Sequence, residues 1–70
     1  MNEEIRTIFN ELEEDLRRLS SLIGMIKGDL IKQDTNRAKM GLETASSLAE
    51  RIYSNSYRLL IMIEKAESSR

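Results

Sequence analysis

Cysteine, histidine, proline and tryptophan are absent from these 70 residues, and glycine occurs only three times. Without cysteine there is no disulfide framework and no sign of an oxidising compartment. Without histidine and cysteine, the usual ligands of zinc, haem and iron–sulfur clusters are missing, so no metal or cofactor is expected. A strong charge of one sign is lacking too. A third of the chain is charged, yet the net charge is −1. That balance argues against a nucleic-acid-binding arm and against a disordered acidic tail. The start, MNEEIR, is acidic, unlike the basic start of a signal peptide. The longest strongly apolar run is LLIMI, Leu59 to Ile63, far short of the roughly 20 residues that cross a bilayer. The expectation is a cytoplasmic protein with no membrane contact.

A chain this short buries only about 60% of its unfolded surface. Small scaffolds of this kind gain stability from disulfides, a metal or self-association. The composition leaves self-association.

What the sequence does contain is periodicity. Ile5, Leu12, Leu19 and Ile26 recur every seven residues, and so do Phe9, Leu16, Ile23 and Leu30, offset by four. All eight places are apolar, as the a and d positions of a heptad pattern require. Ile8 and Leu22 widen the stripe, which suits a globular bundle better than a two-stranded zipper. The pattern resumes later. Ala38, Ala45, Ile52, Leu59 and Ala66 form one seam, and Leu42, Ala49, Ser56 and Ile63 the other. Leu48, Tyr53, Leu60 and Met62 flank them. Ala45, Ala49 and Ser56 make this second seam light, so larger residues of the first segment can fill the space between close helix axes.

Between the two patterns lies LIKQDTNRAK, Leu30 to Lys39. Gln33 to Asn36 holds no heptad apolar residue, while Asp34, Thr35 and Asn36 each have a side-chain oxygen able to cap a helix. Asp or Asn there also tolerates the left-handed conformation that ends a helix. The reading is all-α and a single domain: helix 1 over about 2–32, a turn over 33–36, and helix 2 over 37–67, capped by Asn36 or Thr35. One continuous helix is the rival, since no proline or glycine marks the break.

A two-helix hairpin is a single layer and cannot cover two stripes of this width. A twofold dimer, giving four helices, is the economical solution. Its expected core is Ile5, Phe9, Leu12, Leu16, Leu19, Ile23, Ile26, Leu30, Leu42, Ala45, Ala49, Ile52, Ser56, Leu59 and Ile63. Residues 3–15 carry six acids against Arg6, and residues 27–39 carry four bases against Asp29 and Asp34. An antiparallel dimer sets each basic turn near its partner's acidic start. Such pairs contribute little energy but can choose orientation.

The run LEEDLRRLSSLIGMIKGDLIK, then a polar turn and RAKMG, resembles the small helical-hairpin proteins of the spindle-shaped viruses (fuselloviruses) that infect Sulfolobus. Leu12, Asp15, Leu16, Arg17, Leu19, Ser21, Leu22, Ile23, Ile26, Lys27, Asp29, Lys39 and Gly41 carry the likeness. It covers helix 1 and the turn. The resemblance implies an antiparallel dimeric four-helix bundle, as in the plasmid RNA-binding protein Rop. It also implies no enzyme activity, a protein-adaptor role, and a site of action in the host cytoplasm. It carries across no established functional residues.

The remaining features divide between structural and functional readings. The acids avoid the a and d positions, Asp15 and Asp29 coming nearest. Carboxylate dimetal bundles use Glu-x-x-His pairs, so solvated or paired acids at the bundle edge are the better reading. Gly24 and Gly28 fall on the outer face and, with Ser21, Met25 and Ile31, make an uncharged patch. Each glycine costs a helix about 1 kcal/mol relative to alanine. The patch is either a tolerated weak spot or a contact site for a protein partner. Tyr53 and Tyr57 share a helical face near Arg51 and Arg58. They read as core-edge residues rather than as a base-stacking platform. Two functions stay open: a non-enzymatic homodimeric adaptor, which is favoured, and a Rop-like nucleic-acid-binding regulator of replication or transcription.

Overall fold

The computed structural model describes residues 2–68, which form α1 (Glu3–Ile31) and α2 (Thr35–Ser68), folded back on each other as an antiparallel hairpin. The heptad repeats therefore belong to two helices and not to one continuous rod. No helix among the described residues is long and apolar enough to cross a membrane.

Local chemistry sets the ends. The Asn2 side chain accepts a hydrogen bond from the Glu4 N–H at 2.7 Å, satisfying one of the unpaired donors of the first turn. Glu3 and Glu4 place negative charge at the positive end of the helix dipole. At the other end Gln33 takes the left-handed conformation, with φ 61°. The Asp34 N–H then reaches back to the Asp29 carbonyl at 2.8 Å and the Gln33 N–H to Leu30 at 3.1 Å. This paired closure is a Schellman motif.

Asp34 also opens α2. Its side chain accepts from the Arg37 N–H at 3.2 Å and its carbonyl from the Ala38 N–H at 3.1 Å. The cap expected at Asn36 or Thr35 is thus at Asp34, and both of those residues lie inside the first turn of α2. The reason is Gln33. By turning left-handed it reverses the chain earlier than the polar run alone suggested. One aspartate then ends one helix and starts the next, which shortens the turn to residues 32–34.

Two columns of each helix build the seam. From α1 come Ile5, Leu12, Leu19 and Ile26, with Ile8, Asp15, Leu22 and Asp29 beside them. From α2 come Ala38, Ala45, Ile52 and Leu59, with Gly41, Leu48, Asn55 and Met62. All are buried or half-buried. Ile8, Ile26, Ala38 and Leu59 are the deepest apolar ones. The helices come close at Gly41, where a Cβ would sit 2.7 Å from Ile26 Cγ1. Of the light-seam residues, Ala45 is half-buried within one hairpin, and Ala49 and Ser56 are exposed.

The hairpin measures 55 × 15 × 12 Å, a rod one layer thick. Its glycines divide by environment. Gly24 and Gly28 have open space where a Cβ would be, whereas Gly41 does not. Gly24→Ala should raise stability by up to about 1 kcal/mol through helix propensity. Gly41→Ala should instead lower it, by about 1–3 kcal/mol, because Ile26 must move out of its packed position. Urea unfolding followed by circular dichroism measures both; equal effects at the two sites would contradict the packing described.

Candidate interaction surfaces

A single layer has two faces, and the seam columns fix which residues lie on each. In two antiparallel right-handed helices, residues four places after a seam position fall on the same side. On that side lie Phe9, Leu16, Ile23 and Leu30 of α1 and Leu42, Ala49, Ser56 and Ile63 of α2. The six large apolar side chains among them are 44% to 55% exposed. The opposite side carries Glu4, Glu11, Arg18 and Met25 of α1 and Arg37, Thr44, Arg51 and Arg58 of α2. The expected core thus divides in two. Ile5, Leu12, Leu19, Ile26, Ala45, Ile52 and Leu59 are covered by the hairpin itself. Phe9, Leu16, Ile23, Leu30, Leu42, Ala49, Ser56 and Ile63 form an open apolar face.

Cross-helix ion pairs run along the polar face. Arg58 meets Glu4 at 3.5 Å, Arg51 meets Asp15 at 2.6 Å, and Arg37 meets Asp29 at 3.9 Å. The middle pair differs from the others in kind. Asp15 is completely buried. Arg51 Nε donates to its Oδ2 at 2.7 Å and Nη2 to its Oδ1 at 2.6 Å, the two-pronged geometry that makes arginine–carboxylate pairs strong and directional. Arg18 stands 3.9 Å from the same carboxylate and 3.6 Å from Glu14.

The Arg51 hydrogen bonds hold the Asp15 carboxyl below the usual carboxylate range; burial opposes them, and the charges of Arg51 and Arg18 assist. Arg51 is raised in turn, chiefly by its hydrogen bonds to Asp15. With both oxygens engaged, Asp15 is committed to holding the two helices in register. The open cleft of ≈ 580 Å³ above it is lined by Asn10, Glu11, Glu14, Arg18, Arg51 and Asn55.

The sequence put Asp15 among solvated or paired acids at the bundle edge and did not name Arg51; the residue is instead fully buried in the seam. The signal was present. Asp15 interrupts the column Ile8–Asp15–Leu22, and Arg37, Thr44, Arg51 and Arg58 recur every seven residues. A charge in an apolar column calls for a partner across the seam.

The uncharged patch splits. Ser21, Gly24, Met25 and Ile31 are exposed, and Gly28 is half-buried. Ser21 and Met25 line a depression of ≈ 520 Å³ with Arg17, Arg18, Leu22, Thr44 and Leu48. Met25 also borders a second one, of ≈ 190 Å³, with Met40 and Gly41. The α2 walls of these depressions were not foreseen. Tyr53 and Tyr57, read as core-edge residues, are exposed in the hairpin.

Because Asp15 is depressed in the folded chain, its contribution to stability is complete above the unfolded value, about pH 4, and is lost as pH falls through the lower folded value. Asp15→Asn should melt at a lower temperature than the parent at pH 7. It should also lose less of its remaining stability between pH 5 and pH 2. Thermal melts across that range check this, and parallel acid limbs in the two proteins would refute it.

No curated protein and no solved structure matches the chain. The family model of the Sulfolobus spindle-shape virus 1 protein D-63 does match, over residues 1–61. That span is most of the 70 residues, so the chain belongs to this family of viral proteins.

Proposed function

We propose that the hairpin is one half of a homodimeric four-helix bundle that acts as a non-enzymatic adaptor in the cytoplasm of the host cell, joining other macromolecules. The observation that supports this most is the open apolar face. Six large side chains left half exposed on one side amount to on the order of 500 Å² of apolar surface, toward the upper end of the largest patch a typical monomer exposes and on a chain of only 70 residues. The flanking Tyr53 and Leu60, both exposed, extend it toward the about 800 Å² per partner of a stable interface.

A second copy is the occupant that fits. The Asp15–Arg51 and Asp29–Arg37 pairs set residue i of α1 level with about residue 66 − i of α2, so Leu16 lies beside Ala49; the Glu4–Arg58 pair offsets the open end by about one turn, which keeps Phe9 near Ser56. Two such surfaces laid face to face can alternate large with small residues, the arrangement that fills a bundle layer. The antiparallel arrangement is favoured only by the overall charge asymmetry of the chain, acidic at its start and basic at its turn, since Glu4, Glu11 and Arg37 lie on the side away from the partner and Asp15 is engaged by Arg51. The Rop-like nucleic-acid reading has less support. Arg51 is committed to both oxygens of Asp15, and the net charge of the chain is −1, which gives phosphates little to bind.

Folding and association should be one event, because a lone hairpin leaves its apolar face wet. Light scattering should report twice the chain mass wherever helical circular dichroism persists, and the melting temperature should rise with protein concentration. Ala49→Leu should overpack the layer beside Leu16, costing about 1–3 kcal/mol. Glu50→Leu, on the outer side of α2, should change stability by no more than about 0.5 kcal/mol. A folded monomer with a concentration-independent melt, or equal tolerance at the two sites, would defeat the dimer. Sequence-selective binding of duplex DNA or hairpin RNA that weakens steeply with salt would favour the nucleic-acid reading instead.

A further inference from the structure

Far from the apolar face, on the polar side and nearest the turn, the ion-pair row gives way to an apolar trough. The two depressions there adjoin, with Leu22, Met25 and Thr44 on the walls of both. Leu48 closes one end of the floor, and Met40 and Gly41 lie at the other. Thr44 presents no free donor, since its hydroxyl is bonded to the Met40 carbonyl at 3.2 Å. Met25 and Met40 are both more than half exposed. Methionine is the side chain best able to reshape itself around an incoming apolar surface.

The rim is basic. Arg17 and Arg18 stand at one end and Arg37 at the other, and Asp29 is the only acid among the lining residues. Arg17 has no ion-pair partner among the described residues, and Arg18 and Arg37 are held only by contacts of 3.6–3.9 Å. These guanidinium groups can turn toward an incoming carboxylate at little cost. On the α1 side the wall includes Ser21, which carries no charge.

We propose that this trough binds an acidic amphipathic helix of a partner protein. The proposal rests on the adaptor reading and names the chemistry of what is bound. A helix suits the site because both walls are helices whose backbone groups are already bonded. An extended segment would find no backbone partner over the apolar floor, whereas a helix satisfies its own. The stretch from Arg17 to Asp29 runs about 18 Å at 1.5 Å per residue. That is room for about three helical turns, with anchors at i, i+3 or i+4, and i+7. Acidic residues flanking those anchors meet Arg17, Arg18 and Arg37, which fix direction and exclude basic competitors. In an antiparallel dimer the two polar faces point away from each other, so each bundle offers two troughs and can bridge two partner molecules.

Methionine methyl NMR tests this on the whole dimer. Met25 and Met40 report from the trough, and Met62, at the other end of the hairpin, serves as the internal control. The probe is a 15-residue capped peptide with leucine at heptad a and d positions, glutamate beside them, and alanine and glutamine elsewhere. Its counterpart carries lysine for glutamate. The glutamate peptide should shift the Met25 and Met40 methyls and leave Met62 in place, binding about tenfold more tightly than the lysine peptide. Thr44→Glu should weaken it by about the same factor while the mass by light scattering stays that of the dimer. Equal binding of the two peptides, no shift with either, shifts centred on Met62, or a single-stranded oligonucleotide moving the trough methyls in place of the glutamate peptide would each overturn the proposal. A dimer that forms normally but ignores the peptide would remove the trough proposal alone. Loss of the dimeric mass in the parent protein would instead strike the adaptor reading beneath it.

Discussion

Two helices packed side by side make a single layer, and one seam cannot cover the apolar surface that two heptad stripes present. The hairpin closes on one half of each stripe. On α1 the seam takes the column of Ile5, Leu12, Leu19 and Ile26 and leaves Phe9, Leu16, Ile23 and Leu30 at the edge. On α2 it takes Ala38, Ala45, Ile52 and Leu59 and leaves Leu42, Ala49, Ser56 and Ile63. Everything else about the molecule follows from which way the layer rolls around that seam.

The roll is set on the opposite side. Asp15 lies in a column otherwise held by Ile8 and Leu22, and burying it is tolerable only because Arg51 takes both of its oxygens. That pair goes with the Ile8–Asp15–Leu22 column of α1 facing inward and the column of Arg37, Thr44, Arg51 and Arg58 of α2 beside it. The apolar columns then lie on the far face. A buried ion pair is weak evidence for stability in general, and its value here is directional: it distinguishes one face of the layer from the other and fixes the helix register. Gly41 acts with it, letting Ile26 approach α2 near the turn.

Much of this was legible in the sequence. The eight unbroken heptad places of α1 specify a helix because no other period fits them, and the polar run before Arg37 marks the reversal. The turn was harder to read. Nothing in the residue types distinguishes Asp34 from Thr35 or Asn36 as a cap, and the decision lies with a left-handed Gln33, a residue without special preference for that conformation. The division of the stripes was also beyond periodicity, which says that both columns are apolar but not which one the partner helix covers. Gly41, Met40, Thr44 and Leu48 gained their roles only when α2 was placed against residues 17–29. The patch seen from α1 alone therefore had one wall where the trough has two.

The central claim is that the apolar face is covered by a second hairpin running the other way. The chain has no cysteine, so a single spin label can be placed at the turn through Lys32→Cys without competing thiols. Pulsed dipolar spectroscopy then measures the separation of the two turns. The 29 residues of α1 span about 44 Å at 1.5 Å per residue, so an antiparallel dimer should give a label-to-label distance on the order of 45 Å. A distance on the order of 20 Å, as two helix diameters allow in a parallel pair, or no intermolecular coupling at all, would contradict it.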